Sequence, residues 1–172
     1  MKKIVIIGPE STGKSTLGQQ LAAHYQTVCC PEYARRYLEV NGPGYNENDL
    51  MLIAQGQLAL EDWMLEEATE PFYFVDTDMY VLKVWFEVVF GTCPPWILKQ
   101  CAAQQCDLYL LCRPDLPWVP DALREYPDQH ERERHFKMYL DLLVNDGRPF
   151  AIISGTEDER LRNAIAAVDA QF

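Results

Sequence analysis

Positive charge is scarce in this chain: 15 Lys and Arg stand against 26 Asp and Glu, for a net charge of −11. That is the wrong sign for binding driven by release of counterions from phosphate backbones, so DNA and RNA are poor partners. Long apolar runs are also missing. A membrane span needs about 18–20 consecutive apolar residues, whereas Met1-Lys2-Lys3 is followed by only Ile4 to Ile7 before Gly8. Neither a membrane helix nor a secretory leader is expected, and a cytoplasmic location is. The six cysteines form no CxxC pair, and only three histidines could complete a metal site. This argues against zinc and reads the cysteines as reduced thiols. Internal repeats, low-complexity tracts and Ser/Gly linkers are absent, so 172 residues read as one domain, 1–172. With 48% hydrophobic and 12% aromatic residues, such a chain can bury a substantial core.

Five apolar runs of about strand length punctuate the chain: Ile4–Ile7, Thr27–Cys30, Phe72–Val75, Leu108–Cys112 and Phe150–Ile153. They are nearly continuous rather than alternating, which suits strands buried on both faces of a parallel sheet. Helical spacing fills the gaps at Ser15–Tyr25, Glu47–Glu70, Asp78–Phe90, Pro95–Gln104, about Glu131–Asn145 and about Glu157–Ala170. Between the fourth run and the next helix, 113–134 is charged and carries Pro114, Pro117, Pro120 and Pro127, and reads as a lid. The expected fold is α/β: a five-stranded, mainly parallel sheet flanked by helices, with ligands beyond the carboxyl ends of its strands.

Gly8-Pro9-Glu10-Ser11-Thr12-Gly13-Lys14-Ser15 has the spacing Gly, four residues, Gly-Lys-Ser, between a strand and a helix that opens at Thr16. This is the phosphate-loop signature, which makes the fold that of a P-loop NTPase. Backbone N–H groups of Gly8, Glu10, Ser11, Thr12, Gly13 and Thr16 would wrap the phosphates of ATP, Lys14 would reach the outer phosphates, and the Ser15 hydroxyl would ligate Mg²⁺. Asp76 ends an apolar strand and either holds Mg²⁺ with Ser15 or caps the next helix. Asp78 could bind substrate or cap that helix. Glu32 follows the second run and is placed to accept a proton from an attacking hydroxyl while Arg35 steadies a phosphate; an ion pair of Glu32 with Arg35 or Arg36 is the alternative. Arg124, Arg132 and Arg134 lie in the lid, where a guanidinium can meet the charge that develops on a transferred phosphoryl group. Arg124 is the preferred one. No Asn-Lys-x-Asp loop is present, which disfavours a guanine-specific switch.

Taken with Pro31-Glu32-Tyr33-Ala34-Arg35, Val75-Asp76-Thr77-Asp78, Asp107 to Leu111 and Pro114-Asp115-Leu116-Pro117-Trp118-Val119, the phosphate loop resembles the ribosylnicotinamide kinase domain of bacterial NAD-biosynthesis regulators. The resemblance covers almost the whole chain. It implies a small kinase that uses ATP and Mg²⁺ to phosphorylate the 5′-hydroxyl of nicotinamide riboside. Neither the DNA-binding nor the adenylyltransferase region of the larger members is expected within these 172 residues. Two positions depart from the pattern: Ala122, where Gly is expected, and Arg36, where an acidic residue is common. A cationic nucleoside would suit carboxylates and π faces. Tyr33, Tyr37, Trp85 and Trp118 are therefore candidate walls, with Tyr33 and Trp118 preferred. Gly155 and Thr156, in the loop after the fifth run, would hold the adenine by backbone contacts, or simply end the strand and cap the last helix. A kinase for another nucleoside or small alcohol and a non-catalytic ATP sensor are the alternatives.

Overall fold

The five apolar runs become five strands: β1 (Lys2–Ile7), β2 (Cys29–Cys30), β3 (Phe72–Asp76), β4 (Leu108–Cys112) and β5 (Phe150–Ile153). They come from a computed structural model that describes residues 1–172, the side chain of Glu157 excepted. All pairings are parallel, in the order β2-β3-β1-β4-β5. The helices are α1 (Lys14–His24), α2 (Tyr33–Asn41), α3 (Glu47–Leu65), α4 (Met79–Phe90), α5 (Pro95–Ala103), α6 (Gln129–Asn145) and α7 (Glu157–Gln171). None is long and apolar enough to cross a membrane among the described residues.

Each central strand feeds two cores, because successive side chains point to opposite faces. Ile4 and Ile6 pack with Leu17 and Leu21 of α1 and Val168 of α7. Val5 and Ile7 face the other way, into a larger core with Ile53 of α3, Phe86 of α4 and Leu143 of α6. β3 and β4 are buried throughout, which explains their unbroken apolar sequence. β5 departs from that expectation: it is an edge strand and leaves Ile152 exposed.

Helix boundaries follow local chemistry. Asn46 begins α3 with a reciprocal capping box, its side chain accepting from the backbone of Asn48 and Asp49 while Asp49 accepts from the Asn46 N–H. α3 ends at Leu65 rather than continuing to Glu70. Asp128 caps α6 by accepting from the Glu131 N–H at 3.0 Å, which starts that helix at Gln129 rather than Glu131. The lid is therefore an irregular stretch, 113–128, joined to the first turns of α6. α2 was not visible as a periodic segment; it is nine residues long and buries only Ala34 and Leu38.

Register positions the site. Ile6 lies opposite Asp76 and Ile7 opposite Leu111, so the carboxyl ends of β1, β3 and β4 finish level with one another. The loop after β1 opens into that shared edge.

Candidate active site

The loop after β1 can make its turn only because of its glycines. Gly8 has φ 147°, and a Cβ there would lie 2.7 Å from the Cys112 carbonyl oxygen of β4. Gly13 has φ 74° and begins α1, whose first turn carries no capping side chain and no acidic residue. Its free N–H groups and positive helix end form a ready anion site. Ser11, between these glycines, is also left-handed at φ 55°. The Pro9 carbonyl accepts from Thr12 Oγ1 and from Lys14 Nζ, each at 2.9 Å.

At the end of β3, Asp76 is 1% exposed and accepts from Ser15 Oγ at 2.5 Å. Burial raises its pKa, opposed by Lys14 and the Ser15 hydroxyl. Asp76 does not cap α4. That role falls to Asp78, which accepts from the Tyr80 N–H at 2.9 Å and from the Tyr109 hydroxyl at 2.7 Å. Burial also raises the Asp78 pKa. Between them, Thr77 is held at φ 77°, an outlier for a β-branched residue, with its N–H still donating to Ile6 O at 3.1 Å.

Glu32 comes from the end of β2 and starts α2 without using its carboxylate as a cap. Burial and then neighbouring Asp76 raise its pKa, while Lys14 and Arg35 pull it down. Neither Glu32–Arg35 nor Glu32–Arg36 forms an ion pair among the described residues. Arg35 turns instead to Asp121 of the lid at 3.2 Å and to Glu39 at 3.9 Å.

The phosphate loop, Glu32 and Arg35 share one cavity of about 250 Å³, which buried Asp78, expected from the sequence to bind substrate or cap a helix, does not reach. Gly8, Glu10, Ser11, Thr12, Gly13, Lys14, Ser15 and Thr16 form its phosphate end, with Glu32, Arg35 and Arg124 around them. Asp76 lines an adjoining depression with Ser15 and Glu32. The other end is walled by α4, the lid and α6. There Trp85 Nε1 donates to the Tyr45 hydroxyl at 2.8 Å, and that hydroxyl donates to the Glu125 carboxylate at 2.9 Å. Tyr45, Glu125, Tyr126, His135 and Tyr139 also line the cavity and were not singled out from the sequence. His135 and Tyr139 are one turn apart on α6, a spacing that looks like ordinary core packing.

Several expected site residues lie elsewhere. Tyr33 packs its ring against Gly56 of α3 and donates its N–H to Gln57. Tyr37 hydrogen-bonds Asp49. Trp118 does not line the cavity, and its buried Nε1 has no partner among the described residues. Gly155 and Thr156 sit at the β5–α7 turn, where the Gly155 N–H donates to Asp115 at 2.8 Å. Of the lid arginines, Arg124 faces the cavity and donates to Val119 O at 2.6 Å, whereas exposed Arg134 pairs with Glu131. Arg132 points away from the cavity, onto backbone carbonyls.

A family model described as an AAA domain matches residues 3–160. The chain belongs to that family. This AAA domain is 25% identical over 173 residues to the trifunctional NAD biosynthesis/regulator protein NadR of Escherichia coli, covering 98% of the chain and 42% of the relative. It is 27% identical over 154 residues to NadR of Salmonella typhimurium, covering 87% and 37%. It therefore spans about two fifths of the length of these relatives. Among solved structures, a NadR protein in complex with NR superposes with a TM-score of 0.81 at 24% identity, covering 99% of this chain and 50% of the other. A thymidylate kinase from Ehrlichia chaffeensis gives 0.67 at 12% identity, covering 99% and 98%. The AAA domain thus has a phosphate-loop, kinase-like fold and is related to NadR.

Proposed function

We propose that this domain transfers the γ-phosphoryl group of ATP to the 5′-hydroxyl of nicotinamide riboside, giving nicotinamide mononucleotide and ADP. The observation that carries the reading is the convergence of Lys14, Ser15, Asp76 and Glu32 between a phosphate loop and an aromatic-walled cavity. Similar NadR structures are described as complexes with NR and with NAD and AMP-PNP, which supports the choice of acceptor and donor.

The loop N–H groups and Lys14 hold the phosphates, releasing Lys14 from the Pro9 carbonyl. Ser15 and Asp76 present a hydroxyl and a carboxylate side by side, a hard oxygen pair that fits Mg²⁺. Held there by Ser15 and Asp76, Mg²⁺ would supply positive charge against the negative charge that develops during transfer. Glu32, whose proton affinity is raised by burial and by Asp76, accepts the proton of the attacking hydroxyl. Arg124 supplies positive charge from the lid. Glu125, Tyr45 and Trp85 offer a carboxylate and π faces to a pyridinium ring.

An ADP-release assay with a nucleoside panel tests this. Turnover with nicotinamide riboside, and little with adenosine, uridine, thymidine or thymidine monophosphate, is the expected result. Turnover only with another acceptor would replace the substrate. Tight ATP binding with no acceptor-dependent turnover would replace the kinase by a nucleotide sensor.

A further inference from the structure

Arg132 has an unusual environment for a charged side chain. It is 1% exposed, yet no carboxylate lies within ion-pair distance among the described residues. Its guanidinium is instead surrounded by oxygen acceptors from three parts of the chain. Nε donates to Glu10 O at 3.2 Å, Nη2 to Ser11 O at 3.1 Å and to Leu116 O at 3.0 Å, and Nη1 to the Gln129 side chain at 3.0 Å. A buried charge held by neutral oxygens is costly unless its donors find partners, and four of the five N–H donors of this fork do.

Two of those carbonyls belong to the phosphate loop. In a planar trans peptide, the C=O and the following N–H point in opposite directions. Drawing the carbonyls of Glu10 and Ser11 toward Arg132 therefore turns the N–H groups of Ser11 and Thr12 the other way. Left-handed Ser11 puts this stretch in the alternating conformation from which backbone N–H groups form an anion-binding nest. The preceding Pro9 carbonyl is held separately, by Thr12 Oγ1. On the lid side, the Glu10 carboxylate accepts from the N–H groups of Glu125 at 3.0 Å and Tyr126 at 3.0 Å, so loop and lid brace each other at two points.

We infer that Arg132 is a positioning residue for phosphate binding: by gripping the outward-facing carbonyls of Glu10 and Ser11, it holds the N–H groups of Ser11 and Thr12 toward the anion. It touches no phosphate itself. The role rests on the nucleotide-binding reading of the loop, but not on the identity of the acceptor.

The test uses full-length wild type, Arg132→Met and Arg132→Lys, with ATP and inorganic tripolyphosphate as ligands in calorimetry. Amide spectra report Ser11 and Thr12. In Arg132→Met, affinity for both ligands should fall by about tenfold to a hundredfold, the scale expected when charge-assisted hydrogen bonds that set a geometry are lost. The Ser11 and Thr12 amide signals should no longer move on adding tripolyphosphate, although the remaining spectrum stays dispersed. Arg132→Lys keeps the charge without the fork and should lie between; if the Met variant does not fold, the Lys variant decides by the same readouts. Tripolyphosphate affinity within about twofold of wild type in a folded variant, or Ser11 and Thr12 signals that still move as in wild type on adding it, would overturn the inference alone. A wild-type chain that binds neither ligand would overturn the nucleotide-binding reading, and the inference with it.

Discussion

Asp76 and Glu32 are two carboxylates whose charges oppose each other in a poorly solvated place, each with its pKa raised by burial. A raised native pKa means that the folded chain holds the proton more tightly than the unfolded one. The corresponding stability is fully present below the ordinary carboxylate value and is lost as pH rises through the raised one. Asp76→Asn should therefore raise the melting temperature of the ligand-free domain at pH 8, and this gain should shrink as pH falls through the raised native value toward the ordinary carboxylate value, as the native carboxyl takes up its proton. Each kcal/mol recovered should appear as about 2–4 °C in a chain of this size, read by calorimetry across pH. An equal gain at pH 8 and near the ordinary carboxylate value would show that packing, rather than charge, sets the effect. Function should move the other way, with Asp76→Asn weakening Mg²⁺-dependent turnover. Glu32→Gln should lower kcat by about 10²–10⁴-fold with little change in ATP affinity, the range expected for loss of a general base. It should also remove the acidic limb of the pH–rate profile, which the raised Glu32 pKa places above the usual carboxylate range. Lys14→Ala should cost about 10²–10³-fold in kcat/KM, on the scale of a lost electrostatic stabiliser, without unfolding the chain.

Helices α2 and α3 carry the argument about Glu32 one step further, because Glu32 sits at the start of α2 and that start rests on α3. Gln57, buried on α3, accepts the Tyr33 N–H at 2.8 Å, and a Cβ on Gly56 would approach the Tyr33 ring to 2.2 Å. Helix propensity alone favours Gly56→Ala by about 1 kcal/mol. Overpacking opposes it by about 1–3 kcal/mol, so sterics should win. Urea denaturation should show a net loss of stability, and kcat should fall as the start of α2 is pushed away. A Gly56→Ala chain more stable than wild type would show that the Tyr33 ring swings aside freely. The lid contains a related element contact: buried Arg160 of α7 pairs with Asp115 and donates to the carbonyls of Ile153 and Gly155, tying the ends of β4 and β5 together behind the loop.

For the molecule as a whole, one sheet separates two cores while its level carboxyl edge gathers loops from both ends of the chain. The charge of −11 is spread over this body, and only a few of its carboxylates belong to the cavity. A ligand that binds only this folded edge must stabilise the entire sheet. ATP with Mg²⁺ at about 100 times its Kd should add about 2.7 kcal/mol, roughly 5–10 °C in melting temperature. Chelating the metal should reverse most of that shift in thermal denaturation. ATP that left the melting temperature unchanged would contradict the assignment of the loop.

How much of this could be read without coordinates depended on the range of the interactions concerned. The phosphate loop was fully legible, because its turn, anion-binding N–H groups and helix start are encoded within eight consecutive residues, Gly8 to Ser15. Four of the five strands were legible nearly to their ends: β1, β3 and β4 because burial on two faces writes itself as an apolar run, and β5 because its residues are all apolar although Ile152 is exposed. The exception, Thr27–Cys30, forms ladder pairs only at Cys29 and Cys30. α2 was hidden because two buried positions make no period. Asp76 was open to a metal or a capping role and Asp78 to a substrate-binding or a capping role, and no local pattern separates two carboxylates two residues apart. The separation came from distant partners: Ser15 for Asp76, Tyr109 for Asp78. The same holds for Arg132, one of three arginines in a charged segment, which differs from its neighbours only because the carbonyls of Glu10 and Ser11 lie beneath it. Chemistry carried by adjacent residues is written in the chain, whereas chemistry that depends on which side chain meets which backbone across a hundred residues exists only once the sheet has brought them together.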